Sequence, residues 1–217
     1  MDQWYIIEMY ELSLPANSQS QSFQDAFVLN LLNFKKNGYF IEIGSNHPVI
    51  YSNTFLLEYK YQWNGLAFEL SKSLVKKYRE ERKALVYRCD ATRFNYLDTF
   101  SKVNAPKQID YLQIDIEPAW QSYQALTILP HNLYRFSVIT FEHDCYASLE
   151  GVSVKQSAYN FLSNLGYFRV VDNMRSKGCA YEDWYCDPRV FNIEKLEDLA
   201  AFEIEDVEYF SKATLIS

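Results

Sequence analysis

Short apolar runs alternate along this chain with segments whose apolar residues recur at helical spacing. Residues 39–43 form the first run, with Gly44 directly behind it, and similar runs occupy 65–68, 84–87, 111–114 and 137–141. Runs of this length without a polar face mark strands covered on both sides, and a following glycine stops them. The segments between them read as helices. Strand–helix alternation requires right-handed crossovers and so a mainly parallel sheet, with ligands beyond the carboxyl ends of its strands. Residues 168–171 and 183–186 are expected to add an antiparallel hairpin at the sheet edge, after a helix over 153–165. The resulting fold class is α/β, a doubly wound, mainly parallel seven-stranded sheet. A first helix is predicted over 22–36: Ser22 to Asp25 fits a capping box, and Phe23, Phe27, Leu31 and Phe34 share one face. A last helix is expected over 194–202.

The 217 residues suit one domain, with 1–20 as an aromatic-rich arm, 21–190 as core and 191–217 as a C-terminal extension. A hydrophobic share of 48% supplies ample core material. The net charge of −7 and the lack of a basic run count against a nucleic-acid partner. No apolar run reaches the length of a membrane span, and the N-terminus carries acids where an export signal needs basic residues, so the expected compartment is the cytoplasm. Cys89, Cys145, Cys179 and Cys186 lack metal-site spacing and are too few to staple such a chain. Oligomerisation is left open.

Candidate chemistry gathers at the predicted strand ends. Glu42-Ile43-Gly44-Ser45-Asn46 brings a backbone that can approach a ligand, although a plain strand-to-loop turn is the competing reading. Neither a GxGxxG nor a GKS/GKT motif is present, which counts against a nicotinamide oxidoreductase or a P-loop. Glu69 ends the second strand, where a carboxylate can accept both hydroxyls of a ribose; alternatively it favours the N-terminus of the next helix. Asp90 follows the third strand and is either a site residue or a turn cap. The densest cluster is Asp115, Glu117, Glu142, His143 and Asp144, at the ends of the fourth and fifth strands. Such groups bind a divalent ion or remove a proton, and some of them are expected only to cap helices or form ion pairs. His143 is the better proton acceptor by ordinary pKa, and His131 reads as a surface residue. Trp184 and Tyr185 either wall an acceptor site or pack in the core.

SQSFQDAFVLNLL, GYFIEIGSNHPVIYSNTFLLE, WNGLAFEL, DYLQIDIEPA, FSVITFEHDCY and EDWYCDP occur in this order over roughly residues 20–190. Together they resemble the FkbM family of methyltransferases, with the Rossmann-like class I methyltransferase fold. The resemblance implies S-adenosylmethionine as cofactor. Glu42, Gly44, Ser45, Asn46 and His47 would surround its methionine part, Glu69 and Leu70 its ribose, and Asp90 and Ala91 its adenine, with Asp115 at the reacting end. It also implies transfer to a hydroxyl of a small molecule or sugar, with His143 or Asp115 as base. Glu117, Glu142, Tyr146 and Trp184 would contact the acceptor, and Asp115, Glu142 and Asp144 are candidate ligands for Mg or Mn. Pro48 and Pro118 depart from the family pattern, where glycines are common. A non-catalytic module that keeps the fold is the alternative function.

Overall fold

The computed structural model describes residues 14–15, 17–176, 178–201 and 215–216. Most of the expected N-terminal arm, residues 1–13, lies outside the described residues, as does 202–214 of the C-terminal extension. Seven strands form the sheet: β1 (Tyr39–Ile43), β2 (Asn64–Glu69), β3 (Leu85–Arg88), β4 (Gln108–Ile114), β5 (Arg135–Glu142), β6 (Phe168–Ser176) and β7 (Cys179–Cys186). Their spatial order is β3-β2-β1-β4-β5-β7-β6. The first five run parallel, and β7 lies antiparallel between β5 and β6. The hairpin is thus at the edge as expected, with its second strand inserted inward.

Side chains alternate across the strands and divide the core in two. Phe40, Ala67, Val86, Tyr111, Val138 and Trp184 face one layer, covered by α1 (Gln24–Leu31), α2 (Phe55–Tyr61) and α3 (Lys72–Glu81). Ile41, Ile43, Leu66, Phe68, Leu112, Ile114, Ile139 and Tyr185 face the other, covered by α4 (Tyr96–Lys102), α5 (Ala119–Ile128) and α6 (Leu149–Asn164). A further helix, α7 (Ile193–Ala201), packs on β6 and adds Leu196 and Leu199 to the first layer. No described helix is long and apolar enough to cross a membrane.

The expected capping box at the first helix does not form. Phe23, in the left-handed region at φ 59°, precedes the helix, and the Ser22 N–H is taken by the Gln24 side chain at 2.9 Å. Asp25 is buried instead, accepting from Ser18 Oγ at 2.7 Å and from the Ala26 N–H. The helix also stops at Leu31 rather than 36, because Asn33 and Phe34 turn to positive φ. Conversely, α6 begins four residues before the apolar pattern showed it, at a Ser148 cap that accepts from the Gly151 N–H. His131 is half-buried against Phe136 and Phe161, with Nε2 2.8 Å from the Leu126 carbonyl, so it is not a surface residue.

Candidate active site

Register decides where the chemistry converges. Ile43 lies beside both Phe68 and Ile114, Glu69 beside Arg88, and Ile114 beside Phe141. The residues that follow these positions therefore arrive together at one edge of the sheet. They line a cleft of about 350 Å³ that includes Gly44, Asn46, Glu69, Leu70, Asp90, Ala91, Asp115 and Glu117. Gly44 has φ +80°, and a Cβ there would stand 1.7 Å from the Asp115 carbonyl oxygen, so only glycine permits this approach of β1 to β4.

Two acids of the cleft are held by the backbone. Glu69 accepts from the Asn46 N–H at 2.9 Å through one oxygen and from the Ser71 N–H at 2.7 Å through the other. Asp90 accepts from the Thr92 N–H and hydroxyl at 3.0 and 2.6 Å, and these bonds lower its pKa. Both carboxylates are thus fixed in orientation while keeping free lone pairs for a ligand.

The acids of β4 and β5 meet one another instead. Burial raises the Asp115 pKa to about 6 against the opposing effect of a hydrogen bond with Glu142. Burial and the charge of Asp115 push Glu142 well above the carboxylate range, so the pair holds a proton between them at neutral pH. Glu117 bonds Asp144 and is likewise raised, chiefly by burial. These acids stand between the cleft and a second cavity of about 260 Å³, lined by Gln21, Glu142, Asp144, Tyr146, Ser176, Cys179 and Tyr181. Gly151 brings the start of α6 against this turn, since a Cβ there would meet the Asp144 carbonyl at 2.4 Å. Oxygens of Glu117, Glu142 and Asp144 come within 4.8 Å of one another, an all-oxygen set of the kind hard divalent cations take. Asp115, expected among such ligands, is not in this group and bonds Glu142 instead.

Several expectations are corrected. The His143 ring is fully buried, with Nε2 3.1 Å from Asp183 Oδ1 and Nδ1 accepting from the Cys145 N–H, so neither nitrogen is available as a base. Trp184 is fully buried too, its ring 4.4 Å from Phe27 and its Nε1 donating to Glu182, so it walls no acceptor site. Glu42 points away from the cleft, accepting from Tyr78 OH at 3.2 Å in a buried group with Arg82. Strand alternation is the reason: Ile43, its neighbour, faces the opposite layer. Ser45 and His47 do not line the cleft either. His47 Nδ1 accepts from the Val49 and Ile50 N–H groups and shapes its own loop. Tyr146 does line the second cavity, and is largely exposed.

Other residues escaped the sequence reading. Phe68, Leu74, Cys89, Ile116 and Gln121 complete the cleft. Phe68, Cys89 and Ile116 adjoin strand-end acids and were legible by position. Gln21, Ser176 and Tyr181 of the second cavity carry no such signal. Pro48 is buried with its carbonyl accepting from Arg82 Nη1 at 2.8 Å, and Pro118, after a cis bond, stands one residue before α5.

No family model matches the chain, and no curated protein matches it in sequence. Among solved structures it is similar to a Clostridium thermocellum protein with the provisional name rRNA-methylase. The two are 12% identical with TM-score 0.52, over 78% of this chain and 96% of that one. It is also similar to a Klebsiella pneumoniae protein provisionally named an O-methyltransferase, at 13% identity and TM-score 0.51, over 86% and 90%. With the strand order above, these likenesses define the class: the chain has the Rossmann-like class I methyltransferase fold.

Proposed function

We propose that this chain is an S-adenosylmethionine-dependent O-methyltransferase, of the FkbM type, acting on a hydroxyl of a small molecule or sugar. The observation that carries the proposal is the junction of two cavities across Asp115, Glu117, Glu142 and Asp144, at the carboxyl edge of this fold. Cleft volume and donor set fit the cofactor: Glu69 offers lone pairs to ribose hydroxyls, Asp90 and Ala91 stand at the adenine end, and Gly44 leaves room beside Asp115. When bound, the cofactor supplies an activated methyl group, so the protein's part is alignment and proton removal. Asp115 ends the cleft on the acceptor side and accepts the proton of the hydroxyl, a task suited to a carboxyl poised near neutral pH. Glu142 tunes it through their shared proton, and Tyr146 borders the acceptor. If Mg or Mn bound, Glu117, Glu142 and Asp144 would hold it, with Glu142 giving up that proton, and the ion would polarise the hydroxyl.

Calorimetric titration with S-adenosylmethionine and S-adenosylhomocysteine, with NAD as control, tests the reading. Micromolar binding of the first two is expected, weakened about tenfold to a hundredfold by Glu69→Ala through loss of charge-assisted hydrogen bonds. If folded, ligand-free protein binds neither nucleoside, the proposal fails while the fold stands.

A further inference from the structure

The net charge of −7 describes a sum, and the charges themselves are segregated. Residues 72–93 carry eight of the chain's 21 basic residues against three of its 28 acids. Four of these cations, together with Glu80, line a surface groove of about 920 Å³ between α3 and the outer strand β3. Lys72, Lys76 and Arg79 follow one another at i, i+4 and i+7, so they form a stripe along one side of α3. Arg88 reaches the groove from β3. All four are exposed. Lys76 has only a loose 3.8 Å pair with Glu80, between two well-exposed side chains, and Lys72, Arg79 and Arg88 form no ion pair among the described residues.

Protection of a sheet edge accounts for the charge of Arg88 on β3 and of Lys83 just before it. It does not account for the helical stripe, which lies off the edge and faces the groove. Four cations against one acid in a concave surface build a local positive potential whatever the chain's sum. We infer that the groove between α3 and β3 docks the phosphate backbone of a single-stranded nucleic acid. The stripe spans about 10 Å, from seven steps of about 1.5 Å, and a nucleic-acid strand presents a charge about every 3.4 Å along its axis, so three cations meet about three phosphates. A membrane surface fits less well. The apolar residue among the groove's lining, Val75, is buried, so this surface offers no side chain to enter lipid. The groove begins at Ser71, beside the Leu70 and Leu74 that border the cofactor cleft, so a bound strand would pass along that cleft's outer side.

The test is fluorescence anisotropy of a labelled oligouridine titrated with the full chain. With four phosphate contacts on a single strand, affinity falls about fifty-fold between about 50 and about 200 mM salt. Reversal of the stripe (Lys72→Glu, Lys76→Glu, Arg79→Glu) removes at least tenfold in affinity and flattens the salt slope by about 2. The glutamine triple gives a smaller loss in the same direction and guards against misfolding, with thermal melting and cofactor titration unchanged in both variants. Lack of oligouridine binding, binding that the reversal leaves unaltered, or binding only to phosphatidylglycerol vesicles or heparin would each overturn the inference. Because cofactor titration is read on the same samples, failure here is separable from failure of the proposed activity.

Discussion

The two halves of the carboxyl edge treat the same residue type in opposite ways. On the β2–β3 side, Glu69 and Asp90 are each held by a neighbouring turn: two backbone N–H groups bind Glu69, and an N–H with a hydroxyl binds Asp90. On the β4–β5 side, Asp115 and Glu142 find each other, and their proton affinity rises. Donors favour the charged form and crowding disfavours it. One half therefore presents fixed, charged acceptors, and the other keeps a proton between two crowded carboxyls.

The sharpest way to break that comparison is at Asp115. Asp115→Asn is expected to lower methyl transfer to an identified acceptor by about 10²- to 10⁴-fold while cofactor affinity changes little, as for loss of a general base. A rate within about threefold of the parent enzyme, measured at saturating cofactor, would remove Asp115 from the chemistry.

A smaller effect separates the halves by pH. Glu182, fully buried beside this cluster, accepts from Gln24 and Trp184, yet burial raises its pKa from 4.5 to about 7. The folded state then keeps a proton that the unfolded chain has lost. Its contribution to stability is complete below about 4.5 and fades as pH rises to about 7, by on the order of 3 kcal/mol at most. Thermal melts between pH 5 and 8 should show the midpoint falling with pH, and Glu182→Gln should flatten that trend. A midpoint that climbs across this range in the parent protein would contradict the assignment.

The smallest expected effect is at His143. Its Nε2 contacts Asp183, which also accepts from the Asn173 N–H, Arg169 and Tyr185, so the carboxylate survives removal of one partner. His143→Ala should cost about 2 kcal/mol of stability, through the lost contact and the cavity left behind, and should leave the chemical step nearly intact. A collapse in rate with an unchanged melt would restore the ring to the active site.

Much of the architecture was legible because a strand buried on both faces must be apolar throughout. The run over 39–43 marked β1 without error, and the acids behind each run marked the functional edge. The side to which an individual residue points was less legible. Glu42 and Gly44 are two positions apart in one motif, yet Glu42 is taken into a buried group with Tyr78 and Arg82 while Gly44 floors the cleft. His143 lies between two acids of the second cavity, and its own ring is turned into the β6–β7 layer by Asp183.

By itself the sequence determined the alternation of strands and helices, the glycine at Gly44 and the row of acids at the strand ends. Each is a local property, set by hydrophobic period, backbone freedom or residue type. Tertiary structure alone decided that β7 inserts beside β5, that Asp115 shares a proton with Glu142, and that four of the cations scattered over 72–93 face one groove. Those outcomes depend on distances between residues far apart in the chain, and on the desolvation that packing imposes, neither of which any local pattern encodes.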